Sequence, residues 1–158
     1  MDVEASLPIS LLVHVPVAVT WVGLVAIEAF LCISRDVSGG QRMRLIAAMR
    51  WPTVALLVII LATGVWQTLH NPFVEVTNWA TLEELRTTTA YGAALFWKHV
   101  FIVGTVGLAF VSRFVLAPRA RAAGTEHTSM AFRAVVYLNL AACLLVLLAT
   151  TRMTIALH

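Results

Sequence analysis

His14 and His99 each sit deep inside a long apolar run, and each lies about seven residues, ~10 Å along a helix, from the same end of its run. An imidazole in hydrocarbon is costly unless it finds a partner. Two of them at one depth therefore point to a shared guest, either a metal ion or a flat macrocycle held from both faces. His70, Arg152, Met153 and His158 fall toward the same end. An arginine or lysine at the rim would suit the carboxylates of such a macrocycle, which makes Arg152 and Lys98 candidates and His70 a further donor. Lys98 and His99 are adjacent, about 100° apart around a helix, so they do not both face one central guest. Spacing alone leaves open which of them turns inward.

The elements that must carry these groups follow from composition. The chain of 158 residues is 60% hydrophobic and 12% charged, with mean hydropathy +0.88. Such a sequence cannot clothe a soluble globule, and the expectation is a single all-α membrane domain over residues 1–158. Apolar stretches from Leu7 to Ser34, Trp51 to His70, Gly92 to Leu116 and Ala134 to Leu157 each approach or exceed the ~20 residues needed to cross a bilayer. We expect them to form an up-down-up-down four-helix bundle. Arg35 to Arg44, with the Gly39-Gly40 pair, reads as the first connection, and Pro118 to Thr128 as the third. In the second connection, Asn71-Pro72 ends a helix, and residues 81–87 read as a short interfacial helix capped by Thr81.

Charge sets the expected orientation. Arg35, Arg42, Arg44 and Arg50 cluster at the first connection, and Arg113, Arg119, Arg121 and Arg133 at the third. The other side carries Asp2, Glu4, Glu75, Glu83 and Glu84. By the positive-inside rule the arginine side is cytoplasmic and both termini are extracytoplasmic, in an inner (plasma) membrane. The pI of 9.4 then reports topology and not nucleic-acid binding. The acidic start, Met1-Asp2-Val3-Glu4, lacks the basic region of a cleavable signal, so the first run is expected to be a retained helix.

Helical spacing sorts the polar residues into seams. His14, Trp21 and Glu28 recur every seven residues and stay within about 40° of one stripe. A glutamate there needs a partner, and Arg113 in the third helix is the candidate, as a structural ion pair ahead of a proton relay. The third helix carries Lys98, Thr105 and Ser112 on one line and His99 and Arg113 on the next, with Gly104 and Gly107 allowing close approach of a backbone within the bundle or between protomers. Thr63, Gln67 and His70 line the second helix, and Asn139, Cys143, Thr150 and Met153 the fourth. The first and third helices of such a bundle are diagonal, which lets their ligands approach a flat guest from opposite faces.

Plainer roles compete for several of these residues. His14 can serve as interhelical glue. Lys98 has a stem long enough to snorkel to the interface, and His70 and His158 suit the surface. Trp51, Trp66, Trp79, Trp97 and Tyr91 lie near span boundaries, as interface anchors do. Met43, Met49 and Met130 fall on the arginine side, away from the histidines, so the methionines form no copper ladder. Cys32 and Cys143 lie at different depths, which argues against a disulfide. The sequence holds no Cys-x-x-Cys-His for covalent haem, no P-loop, no dinucleotide fingerprint and no nucleophile elbow.

Taken in order, His14 seven residues before Trp21-Val22-Gly23, the Arg50-to-Gly64 run leading to Trp66, Thr89-Ala90-Tyr91-Gly92 before Lys98, and Arg113 fifteen residues after that lysine resemble the copper-resistance D (CopD) family of four-helix membrane domains. More distantly they resemble the membrane protoporphyrinogen oxidase of the HemJ type. The resemblance implies that the histidine of the first helix, here His14, handles copper or haem. It also implies that the lysine of the third helix, here Lys98, belongs to a haem site. His99 departs from the aliphatic residue usual after that lysine, and this departure allows a His14/His99 axial pair.

The expected function is therefore b-type haem binding with an electron-transfer role, the haem held between the first and third helices near the outer side. The alternative is copper binding or transport through His14 and His99, joined by Met153 or His70. A HemJ-like oxidase and a small subunit of a larger membrane complex stand behind these. Expected partners are the lipid bilayer, a redox protein or quinone, and further copies of the chain or other subunits. Electron transfer or metal handling fits these residues better than stand-alone catalysis.

Overall fold

The computed structural model describes residues 3–34, 36–122 and 130–157, with side chains from residue 8 onward. Arg35, Asp2 and His158 lie outside the described residues, as does the part of the third connection from 123 to 129, and the side chain of Glu4 is likewise not described. Among the described residues every regular element is helical: α1 (Val3–Ile33), α2 (Gly39–Ala48), α3 (Arg50–Leu69), α4 (Trp79–Thr88), α5 (Ala90–Phe110), a π-helical turn (Val111–Leu116), α6 (Ala117–Ala122) and α7 (Met130–Ile155). Four stretches are long and apolar enough to span a membrane: Pro8–Ile33, Gly39–Leu69, Ala90–Ala122 and Met130–Ile155.

Side-chain burial is inverted relative to a soluble protein. Leu12, Val19, Phe30, Val103 and Leu138 are exposed, whereas Glu28, Thr53, Thr105, Ser112, Arg113 and Asn139 are buried. Lipid accepts the first group, and only the bundle interior can satisfy the second.

Two helix pairs make up the bundle, α1 with α3 and α5 with α7, and α7 also packs on α1 to join them. At one end, Ala29, Leu31, Cys32, Met43, Ile46, Ala117, Phe132 and Val136 form a close-packed cluster. We call this the arginine end. A middle cluster holds Trp21, Val25, Ala109 and Cys143. At the opposite, histidine end, Val76, Leu82, Tyr91 and Leu95 pack under α4 and the loop that precedes it.

Three local features differ from the sequence expectation. The stretch read as a loop through Arg44 becomes helical at Gly39, because Ser38 and Gln41 form a reciprocal capping box and the glycine pair falls in the first turn, where it costs little. The interfacial helix starts at Trp79, and its cap is Asn78: its side chain accepts from the Thr81 backbone N–H at 3.0 Å, so Thr81 lies inside the first turn. The third span runs past Leu116 to Ala122. It passes Pro118 by way of the π turn, in which the Ala117 N–H reaches back to the Ser112 carbonyl.

α4 and α5 meet at a tight corner. Thr89 ends one helix and caps the next, its hydroxyl accepting from the Gly92 N–H at 2.9 Å. The corner needs glycine at position 92, since a Cβ there would fall on the Leu85 carbonyl oxygen. Asn71 fastens the preceding loop. Its side chain donates to Tyr91 Oη at 2.9 Å and accepts from the Phe73 N–H at 2.9 Å, closing an Asx turn after helix α3.

Candidate functional site

A cavity of about 270 Å³ lies between the four spans, bounded by the middle cluster and reaching toward the histidine end. That is near the lower end of the ~300–1,000 Å³ usual for small-molecule sites. Its wall is mostly aliphatic, including Val15, Leu57, Ile60, Ile102 and Val146. Polar groups enter it at few points: His14 from α1, Gln67 from α3, Lys98 and Thr105 from α5, and Cys143 and Thr150 from α7. An apolar enclosure with a handful of converging polar groups is the usual form of a cofactor site.

The α1 stripe positions His14. Trp21 and Glu28, seven and fourteen residues on, are buried in the same interior, and His14 is half-buried above them. Gly64 on α3 lies against the ring, where a Cβ would come into contact at 3.4 Å from His14 Cε1. The ring is oriented by Thr63, whose Oγ1 stands 2.7 Å from His14 Nδ1. The Thr63 hydroxyl has the Ile59 carbonyl within reach at 2.7 Å, which favours the tautomer with the hydrogen of this contact on Nδ1. Among the described residues Nε2 then has no hydrogen-bond partner and keeps its lone pair. A histidine that donates through one nitrogen and leaves the other bare is the arrangement metal-binding imidazoles adopt.

His99 is differently engaged. Its Nδ1 donates to the Leu95 carbonyl at 2.8 Å, and its Nε2 shares a 3.1 Å hydrogen bond with Thr68 Oγ1 on α3. Both nitrogens are occupied, and the residue lies outside the cavity lining. Lys98 faces the cavity instead, on the line that continues through buried Thr105 and Ser112. Its ammonium has no hydrogen bond or ion pair among the described residues. The two residues sequence spacing could not separate are thus separated by their neighbours: Lys98 joins His14, and His99 ties α5 to α3.

The remaining candidates lie elsewhere. His70 caps α3, donates from Nδ1 to the Trp66 carbonyl at 2.9 Å and stacks on the Trp66 ring at 4.0 Å. Arg152 is exposed and lines an outward groove between α5 and α7. It follows Cys143 by nine residues, two and a half turns, and so emerges on the opposite face of α7, whereas Thr150, seven residues on, stays with Cys143. Met153 packs beside the Tyr91–Leu95 cluster. Cys32 and Cys143 are both free and buried.

Toward the arginine end the polar seam continues as a buried ion pair, Arg113 Nη2 donating to Glu28 Oε2 at 2.6 Å. The π turn adds one residue to the helical register, which lets Ser112 and Arg113, neighbours in sequence, both point inward. Three buried polar atoms hereabouts lack a partner: Trp21 Nε1, Glu28 Oε1 and Asn139 Oδ1. Trp21 also lines the cavity, though its indole nitrogen is itself buried.

These groups suit a largely apolar guest; at about 270 Å³ the cavity is smaller than a haem, so a haem would enter only where the surrounding helices part. His14 brings a bare imidazole nitrogen, Lys98 an unpaired side-chain nitrogen from the neighbouring half of the bundle, and Gln67 and Thr150 bring hydrogen-bonding capacity. A copper site of three or four donors is less well served, since among the described residues no three His, Cys, Asp or Glu side chains come together. Comparison with protein families, with curated proteins and with solved structures finds no match to this chain.

Proposed function

We propose that this chain is an integral membrane b-type haem protein with an electron-transfer role. His14 and Lys98 would hold the haem, in a cavity that we place on the extracytoplasmic side of an up-down-up-down bundle. The observation that carries this reading is the pairing of a bare imidazole nitrogen with an unpartnered lysine inside one apolar cavity. His14 keeps one ring nitrogen free beside its bond to Thr63, and the Lys98 side chain has no partner among the described residues. The distribution of arginines supports a cytoplasmic arginine end in a plasma (inner) membrane.

A haem bound here would supply one-electron redox chemistry at the iron. The chain's own contribution is positional. Thr63 fixes the His14 tautomer and ring plane, the aliphatic wall excludes water, and Gln67 and Thr150 serve the carboxylate edge in place of Arg152. His99 acts as a positioning residue that holds α5 to α3.

The test is the absorption spectrum of detergent-purified protein. The expected result is a sharp reduced-state α band with stoichiometric haem, lost in His14→Ala and Lys98→Met but kept in His99→Leu. A colourless protein that takes up no haem on reconstitution would overturn the reading. So would an unchanged spectrum in His14→Ala. Stoichiometric copper in a haem-free preparation would transfer the site to the copper alternative.

A further inference from the structure

At the arginine end a small notch opens between the start of α3 and the turn from α5 into α6. Ile46, Ala47, Ala117 and Pro118 wall it, and three guanidinium groups, those of Arg50, Arg113 and Arg121, line it. Arg113 is neutralised by Glu28, and this is the sole ion pair among the described residues. Among the described residues, Arg50 and Arg121 therefore leave the notch with two uncompensated positive charges. The volume, about 20 Å³, is room for one oxygen-sized group.

Arg50 is held in place without being satisfied. Its guanidinium carbon lies 4.7 Å from the Phe114 ring centroid and 5.1 Å from that of Trp51, and the two rings meet edge to face at 6.4 Å. Its Nε is buried, and no hydrogen bond reaches the side chain among the described residues. Arg121 is fixed nearby by donating to the Met43 carbonyl at 3.3 Å. A guanidinium clamped by aromatic rings, with its donors free, is suited to an oxyanion that accepts several hydrogen bonds at once. The surroundings indicate where that oxyanion comes from. Trp51 and Phe110 beside the notch are exposed apolar side chains on membrane-spanning helices, which places the arginines where hydrocarbon gives way to head groups.

We propose that this notch binds the phosphate of an anionic phospholipid head group, with Arg50 and Arg121 as the ligating pair. The site is independent of the haem cavity and stands whether or not a haem is present.

The experiment compares wild type with Arg50→Gln, Arg121→Gln and the double variant in phosphatidylcholine nanodiscs doped with phosphatidylglycerol. Retained lipid is read by mass spectrometry, and Tm is read in parallel with phosphatidylglycerol or inorganic phosphate added to detergent. Selective retention of phosphatidylglycerol should fall about five-fold for each arginine removed, while Arg44→Gln, an exposed control, keeps it. Equal retention in wild type and double variant would overturn the proposal, as would loss of equal size in Arg44→Gln. A Tm rise with inorganic phosphate matching that with phosphatidylglycerol would overturn the assignment to lipid. Circular dichroism of each variant separates lost binding from lost folding.

Discussion

Arg113 Nη2 and Glu28 Oε2 meet at 2.6 Å with their side chains 3% and 2% exposed, so each is the other's answer to burial in lipid. Removing one partner strands a charge, which costs roughly 3–5 kcal/mol, whereas replacing both with apolar groups is often neutral. Arg113→Leu and Glu28→Leu should each lower the thermal unfolding temperature sharply in detergent, and the Glu28→Leu/Arg113→Leu double variant should recover most of the loss. Additive losses in the double variant would show that the residues do not act as a pair.

Thr63 bonds His14 without lining the cavity, so on the proposed reading its hydroxyl should matter for affinity more than for folding. Thr63→Val, nearly equal in shape, should weaken haem binding by about 10–100-fold with little change in unfolding temperature, and Thr63→Ser should restore it. Hemin titration of stripped protein measures this. Wild-type affinity in Thr63→Val would remove the orienting role.

Gly92 marks the corner between α4 and α5, where the Leu85 carbonyl occupies the space a side chain would need. Gly92→Ala should destabilise the fold by about 1–3 kcal/mol and loosen the cover over the histidine end. Hydrogen exchange should show the extra opening in α4, with the arginine end unchanged. Protection in α4 equal to wild type would contradict this.

Orientation can be read from single cysteines. Glu83 in α4 and Arg44 in α2 are both exposed, and Cys32 and Cys143 are buried, which keeps the background low. In cells, Glu83→Cys should react with a membrane-impermeant maleimide and Arg44→Cys should react only after lysis. The reverse pattern would invert the proposed topology.

Much of the fold was legible because hydrocarbon imposes simple rules. Four long apolar runs marked the four spans, missing only the helical turns of α2 before the second and α6 after the third, and seven-residue spacing correctly grouped Trp21 with Glu28 and Lys98 with Thr105 and Ser112. The choice between Lys98 and His99 was not legible, because it depends on Thr68 and Leu95, partners that spacing does not reveal. The half-turn offset of Arg152 from Cys143, which sets it in the outward groove between α5 and α7, was legible in the spacing. The Ser38–Gln41 capping box was also present in the sequence, hidden behind two glycines read as a break. The π turn left no compositional mark apart from Pro118, and with it went any sign that Ser112 and Arg113 would turn inward together.

The division of the bundle into halves bears on how a guest arrives. α1 holds α3, α7 holds α5, and the halves join along α1 and α7, while α3 and α5 pack little against each other and are fastened by the Thr68–His99 hydrogen bond. That seam is where the protein can part with least disruption, and in a membrane-spanning bundle such a parting would face the lipid. A greasy ligand travelling within the lipid sheet would slip in sideways without ever passing through water, with one imidazole serving as the latch.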